Sequence, residues 1–285
     1  MPVLVNAAHR PVARLLVARL REEGGQVRAL ARTGVAELRA AGVFTAVGDP
    51  DDEGLLEAAC TGVHTLVHLA GGLGGDPAAV RAEGRAGAAA AAGADVRRVL
   101  LVTLAGAAPD AEDPLRRAHA EVAAAVAAVD VPSVEVRVGL IDTPVVRGLL
   151  RAAGPPPELL DVPVAPVSAA GLVGILVALD AARSRATDGH LVLAATGPDV
   201  TLGAVLADGG GRRGARLPTP AARAAVMTTL AGPWAGSDPS VPSAWDVLGL
   251  GPGGAPGVAP GRRRRCSAST STAASSTRTP RSRTR

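Results

Sequence analysis

His119, in the segment PLRRAHAE (Pro114 to Glu121), is the side chain of this sequence best suited by type to move a proton near neutral pH. A single histidine on a helix also serves as an ordinary polar-face residue, and both readings stay open. His64 and His68 lie four apart in one apolar strand and so share a face; a metal would need a third ligand and an open strand end, so they read as structural. Cys60 and Cys266 are far apart in unlike contexts, which argues against a disulfide framework or a metal site and fits a reducing cytoplasm. The sequence contains no Ser-His-Asp set, phosphate-binding lysine loop or paired-carboxylate arrangement. It has no tyrosine and no lysine at all, one phenylalanine (Phe44) and one asparagine (Asn6). Codon bias toward GC explains such scarcity at tolerant positions but not the loss of a residue that performs a reaction. The missing Tyr and Lys therefore bear on mechanism.

The elements that must position these residues begin with VLVNAAHRPVARLLVARL (Val3 to Leu20). A short aliphatic strand breaks at Asn6 to Arg10, and Pro11 opens a helix with apolar residues at Val12, Leu15, Leu16 and Leu20. Further strands are predicted at Gln26 to Arg32, Val43 to Val47, Val63 to Leu69, Arg98 to Thr103 and Val134 to Val138. Between them lie helices at Ala36 to Ala41, Leu55 to Cys60 (Asp51 and Asp52 available as caps), Asp76 to Gly93 and Pro114 to Val129. Gly84 and Gly87 weaken the third of these helices by propensity but permit close packing. Strand–helix alternation at this spacing predicts an α/β fold, a doubly wound parallel sheet with right-handed crossovers. Ligands then bind beyond the carboxyl ends of the strands, at Asn6–Pro11, Arg32–Gly34, Asp49–Asp51, Ala70–Gly75 and Thr103–Ala107.

Residues 1–154 form the nucleotide-binding domain in this reading, and residues 155–250 a smaller C-terminal substrate or cap portion. In the latter, Leu160 to Val167 is extended, Ser168 to Ala182, Thr201 to Ala207 and Pro218 to Leu230 are helical, and Leu191 to Ala195 is a strand. Residues 251–285, rich in Gly and Pro and then in Arg, Ser and Thr, read as a disordered tail. The net charge of +4 is misleading: eight arginines and no acid lie in residues 261–285, which leaves the body at −4. Tail arginines without aromatic residues are poor evidence for nucleic-acid binding, which is not expected. No apolar run is long enough to span a bilayer and no export signal is evident, so a cytoplasmic protein without membrane contact is expected.

In order and spacing, these segments resemble the extended and atypical short-chain dehydrogenase/reductase superfamily, specifically its NAD-dependent epimerase/dehydratase and NmrA-like branches. GDPDDEGLLEAACTGVHTLVHLAGG (Gly48 to Gly72) carries the resemblance best. RRVLLVTLAGA, EVRVGLIDTP, PVSAAGLVGILVAL and HLVLAATGPDVTLGAVLA follow in family order. The resemblance implies a Rossmann-type sheet, an NADP cofactor (with NAD possible) and a small-molecule substrate. Arg28 and Arg32 fall where NADP-using members hold the 2′-phosphate, although both also suit a solvent-facing strand edge. Asp49 falls where the family contacts adenine, and it can equally cap a turn. Ala70 and Gly71 would lie against the cofactor, and Thr103 marks the family's Ser/Thr site.

Departures from the family narrow the function. The three glycine positions of the first turn hold Ala7, Arg10 and Ala13. Alanine at the first resists a turn that wants positive φ. Arg10 either bonds the phosphates or fills their space. The family's Tyr and Lys, four residues apart, fall on Leu115 and His119; leucine cannot donate a proton, so the usual mechanism is excluded. The resulting expectation is a divergent member of this fold that binds NAD(P) or a small molecule, with weakened or lost Tyr/Lys-type redox catalysis. The alternative is an active NADP-dependent oxidoreductase or epimerase in which His119, Thr103 or substrate positioning replaces the missing acid.

Overall fold

The computed structural model describes residues 1–33, 36–73, 75–182, 189–207, 219–232 and 240–250; the tail read as disordered, 251–285, lies outside them. The chain opens with β1 (Val3–Val5) and α1 (Pro11–Glu22), then β2 (Val27–Ala31), α2 (Ala36–Ala40), β3 (Phe44–Val47) and α3 (Glu53–Cys60). It continues with β4 (Thr65–Leu69), α4 (Pro77–Gly93), β5 (Arg98–Leu104), α5 (Pro114–Ala128) and β6 (Ser133–Val138). Next come β7 (Ile141–Asp142), α6 (Pro144–Ala153), α7 (Pro157–Leu160), β8 (Pro163–Val164), β9 (Val167–Ser168) and α8 (Ala169–Ala181). β10 (His190–Ala195), β11 (Val200–Thr201), α9 (Leu202–Ala207), α10 (Pro220–Ala231) and α11 (Ala244–Leu248) complete the described elements.

Seven strands form one sheet in the order β10-β6-β5-β4-β1-β2-β3. Every neighbouring pair in it is parallel. Both faces are covered, which is why β4 and β5 are buried along their whole length and read as continuous apolar runs. One face packs on α1 and α8 through Ala13, Leu16, Val17, Leu172, Ile175 and Leu176. The other packs on α3, α4 and α5 through Leu56, Val80, Ala91, Leu115, Val122 and Val126. The chain reverses its direction of winding between the adjacent strands β1 and β4, and their diverging carboxyl ends open a crevice. β10 pairs with β6, so the chain beyond Pro155 supplies a strand of the main sheet as well as covering elements.

Local chemistry explains the helix boundaries. Asp52, Asp76, Asp113 and Thr143 each accept a hydrogen bond from a backbone N–H in the first turn of α3, α4, α5 and α6. Gly84 lets α4 and α5 meet, since a Cβ there would lie 2.3 Å from Val122. Gly87 admits the ring of His68, with 2.9 Å between that hypothetical Cβ and Nδ1. Helix α6, not anticipated from the sequence, begins at the Thr143 cap and ends at Gly154 in the left-handed conformation. It forms the far wall of the crevice.

Candidate active site

The crevice has a charged mouth. Asn6, buried after β1, accepts from the Ala7 N–H at 2.7 Å, and its amide meets His68 Nδ1 at 3.2 Å. Ala7 adopts φ 55°, so the backbone keeps the left-handed turn that a glycine would adopt freely. The Arg10 N–H closes this turn onto the Ala7 carbonyl at 2.9 Å, and Pro11 starts α1. The Arg10 guanidinium then reaches across to β4, donating to the carbonyls of Leu69 at 2.6 Å and Ala70 at 2.8 Å. Its other arm lies 3.4 Å from the carboxylate of Glu83 on α4.

Glu83 organises the mouth, and sequence reasoning did not single it out. Its side chain is 3 % exposed and is shared by Arg10 and by Arg32, which stands 3.2 Å away. Burial pushes its carboxyl above the ordinary value, opposed by the two guanidinium charges. Arg32 also grips Asp49 with two hydrogen bonds, 2.8 and 2.6 Å. Arg32 and Asp49 are thus brought together at the mouth, while Arg28 is not. Arg28 is the second residue of β2, near the amino edge of the sheet. Its guanidinium donates to the Ala59 and Thr61 carbonyls at the end of α3 and lies 5.8 Å from the Phe44 ring centroid. The structure therefore does not bring Arg28, expected beside Arg32 at the 2′-phosphate position, to the mouth with Arg32 and Asp49.

Inside the mouth is a cavity of about 230 Å³. Arg10, Pro11, Ala70, Gly71, Thr103 and His119 line it, with Val138 to Ile141 behind them and Thr143, Val145, Val146 and Leu149 on the far side. Ala7, Arg32 and Asp49 adjoin this cavity without lining it. Gly71 has no room for a side chain, because a Cβ would lie 2.2 Å from Val80. Gly139 is similarly confined against the Ala165 carbonyl, at 2.1 Å.

His119 and Thr103 differ sharply in how far their bonds are already used. The His119 side chain is buried, and neither ring nitrogen has a hydrogen-bond partner. The Gly71 backbone is the polar group that comes nearest to the ring and favours its protonated form, although it falls short of a well-aligned hydrogen bond. Burial brings its pKa down to about 4, with the charge of Arg10 adding to the shift and the Gly71 backbone opposing it, so the imidazole is neutral at pH 7. Thr103, by contrast, donates its hydroxyl proton to Glu135 at 2.6 Å. Glu135 also receives Arg137 at 3.0 Å and faces His190 Nε2 at 3.4 Å. Burial alone would raise the Glu135 carboxyl, but bonds from His190, Arg137 and Thr103 outweigh it and hold the pKa at about 2. Leu115 is buried in the core and does not line the cavity.

His190 Nδ1 meets Ser133 Oγ at 2.8 Å, which places Ser133, His190 and Glu135 in a row resembling a nucleophile relay. Ser133 is only 1 % exposed, however. The small cavity beside it is walled by Asp130 and the carboxyl end of α5, an environment hostile to a developing oxyanion. The row is a buried polar network that anchors β10 to β6 and holds Thr103.

Among the described residues no cluster of three or more His, Cys, Asp or Glu side chains could hold a metal. None of their helices is long and apolar enough to cross a membrane.

Comparisons with known proteins agree with this fold. Residues 7–133 match the family model described as NAD(P)H-binding. Curated protein sequences give no match. Among solved structures, a nucleoside-diphosphate-sugar epimerase from Staphylococcus aureus aligns with a TM-score of 0.66 and 11 % identity over 81 % of this chain and 89 % of its own. Triphenylmethane reductase from Citrobacter sp., complexed with NADP(H), aligns at 0.58 and 18 % over 71 % of this chain and 72 % of its own. A short-chain dehydrogenase/reductase superfamily protein from Agrobacterium tumefaciens with bound NAD aligns at 0.55 and 20 % over 73 % and 81 %. Residues 7–133 are thus similar to an NAD(P)H-binding domain, and the chain has the Rossmann-type fold shared by short-chain dehydrogenase/reductase and epimerase proteins.

Proposed function

We propose that the protein binds NADP(H) across the mouth and cavity, and that it does so without Tyr/Lys-type proton transfer. The observation that carries this reading is the polar inventory of the cavity wall. Among the described residues it comprises Arg10, Thr103, His119 and Thr143, with no phenol and no ammonium. The residues present suit a dinucleotide. Arg10 offers a fixed cation beside the amino end of α1, where backbone N–H groups and the helix dipole favour phosphate. Arg32, at the carboxyl end of β2, is the group for a 2′-phosphate, and Asp49 lies within its reach toward the adenosine. Ala70 and Gly71 let the backbone approach the cofactor. When bound, nicotinamide would supply hydride chemistry; this chain supplies no ordinary acid to accompany it.

Calorimetry on the full chain with NADP⁺, NADPH, NAD⁺ and NADH tests the reading. The phosphorylated forms should bind more tightly than the others by about tenfold, the order of one charge-assisted bond. No turnover of NADPH with a ketone panel should accompany this binding. Absence of binding by any of the four would sink the proposal.

The unpartnered nitrogens of His119 favour a second reading, an active oxidoreductase or epimerase. A neutral imidazole in that position donates a hydrogen bond to a carbonyl oxygen and polarises it, as distinct from releasing a proton. NADPH-dependent ketone turnover that His119→Ala abolishes would establish this reading over the first.

A further inference from the structure

We infer that the cavity takes an uncharged, largely apolar ligand that presents one hydrogen-bond acceptor to His119, an aryl or fused-ring ketone being the simplest chemistry that fits. This rests on the cavity being the inner part of the dinucleotide site. Its walls are the side chains of Leu73, Leu104, Val138, Leu140, Val145 and Leu149, contributed by three sides of the crevice. Arg10 is the only charged side chain among the described lining residues, and its guanidinium is already bonded to two carbonyls and set beside Glu83. A nucleotide sugar or a carboxylate placed deeper would leave its negative charge without a cation, at a large desolvation cost.

The polar bonds already made inside the cavity point to a single contact. Thr103 gives its proton to Glu135, and the Thr143 oxygen accepts from the Val146 N–H at 3.1 Å to cap α6. Among the described lining residues, His119 alone has every polar atom buried and unpartnered. A buried polar group without a partner is costly, and a ligand atom that pairs with it is favoured over an apolar one of the same shape. The neutral imidazole carries one N–H donor and one lone pair. Its donor matches a carbonyl or ether oxygen set in a hydrophobic body.

The test uses the full chain, with and without saturating NADP⁺, and four probes read by saturation-transfer NMR and calorimetry. These are 2-acetonaphthone, the matched hydrocarbon 2-ethylnaphthalene, the charged analogue 6-acetyl-2-naphthoate, and UDP-glucose. The ketone should bind more tightly than the hydrocarbon by about tenfold, and the two anionic probes more weakly than the ketone. His119→Leu should bring the ketone down to the hydrocarbon's affinity while leaving the hydrocarbon within about twofold; a merely structural role would weaken both alike. Should that variant fail to fold, the ranking of the four probes on the natural chain still decides. Preference for UDP-glucose or the carboxylate, or equal affinity for ketone and hydrocarbon, overturns the inference. If NADP⁺ gives no heat while the probe ranking holds, the dinucleotide reading fails and this one stands; the reverse result separates them in the other direction.

Discussion

The mouth of the crevice and its floor handle polar groups in opposite ways. At the mouth, four charged side chains satisfy one another: Arg10 and Arg32 share the buried Glu83, and Arg32 grips Asp49. On the floor, an imidazole is buried with nothing to bond. Two histidines sharpen the contrast, because both are buried, both face the α4–α5 side of the sheet, and burial brings both down to a pKa of about 4. His68 is tied to Asn6 and packed over Gly87, so it buttresses the turn after β1. His119 buttresses nothing. His68 leaves only Nε2 and His9 only Nδ1 unmet, whereas His119 leaves both ring nitrogens unmet at the wall of a cavity, where a ligand atom can reach them.

The largest effect that would sharpen this contrast is acid destabilisation. Both histidines titrate near 4 in the folded chain and near 6.5 when unfolded, so below pH 6.5 the unfolded chain binds protons that the folded chain refuses. Stability is complete above that value and falls as the pH drops toward 4, by about 2–3 kcal/mol for each histidine. Glu135, at about 2 against an ordinary 4.5, extends the loss as the pH falls from 4.5 toward 2. Urea denaturation at pH 7, 6 and 5 measures the slope. At pH 7, His68→Leu should cost about 2 kcal/mol by orphaning the Asn6 amide, whereas His119→Leu should be neutral or stabilising by up to about 1 kcal/mol. Equal losses from both variants would show that His119 supports the fold to the same degree that His68 does and break the comparison.

At the mouth, two substitutions should act in opposite directions. Arg10→Ala removes the cation proposed to face the phosphates and should weaken NADP⁺ binding by about tenfold. Glu83→Gln removes the carboxylate that competes for both guanidiniums and should tighten it by about threefold. Calorimetry on the two variants decides the meaning of Arg10. Tighter binding by Arg10→Ala would mean that the guanidinium occupies the phosphate space, the other possibility that the sequence leaves open.

Much of this architecture was legible because local signals and topology rules agree. The strand–turn–helix of Val3 to Leu20, the capping aspartates and the alternation of apolar runs leave few arrangements other than a parallel sheet with helices on both faces. Of the residues that the sequence singles out, Arg10, Ala70, Gly71, Thr103 and His119 come together around the cavity. Arg28 illustrates the limit. Its place in β2 was clear, but which edge of the sheet its long side chain serves depends on α3, some thirty residues away. Glu135 alternates with Val134 and Val136 and so looks like one polar position of a half-covered strand. Its partners Thr103 and His190 come from two other strands. Helix α6 did leave a signal, in the Thr143 cap, the Pro144 start, the Val145, Val146, Leu149 and Leu150 spacing and the Gly154 stop. Glu83 and the availability of His119, like the partners of Arg28 and Glu135, required the packed structure, because each depends on what surrounds a side chain more than on its type.

The smallest effect concerns the turn that joins mouth and floor. Ala7 holds φ 55° with a Cβ, a conformation costing roughly 1 kcal/mol relative to glycine. Ala7→Gly removes that cost but frees the unfolded chain, an opposing term of about 0.4–1 kcal/mol. The net gain should be a few tenths of a kcal/mol, read as a small upward shift of the urea midpoint at constant slope. The Asn6 bonds to the Ala7 N–H and to His68 already fix this turn, so Ala7→Gly should leave NADP⁺ affinity within about twofold. A large rise in affinity instead would locate the defect of the mouth in the altered first turn position, with Arg10 a bystander.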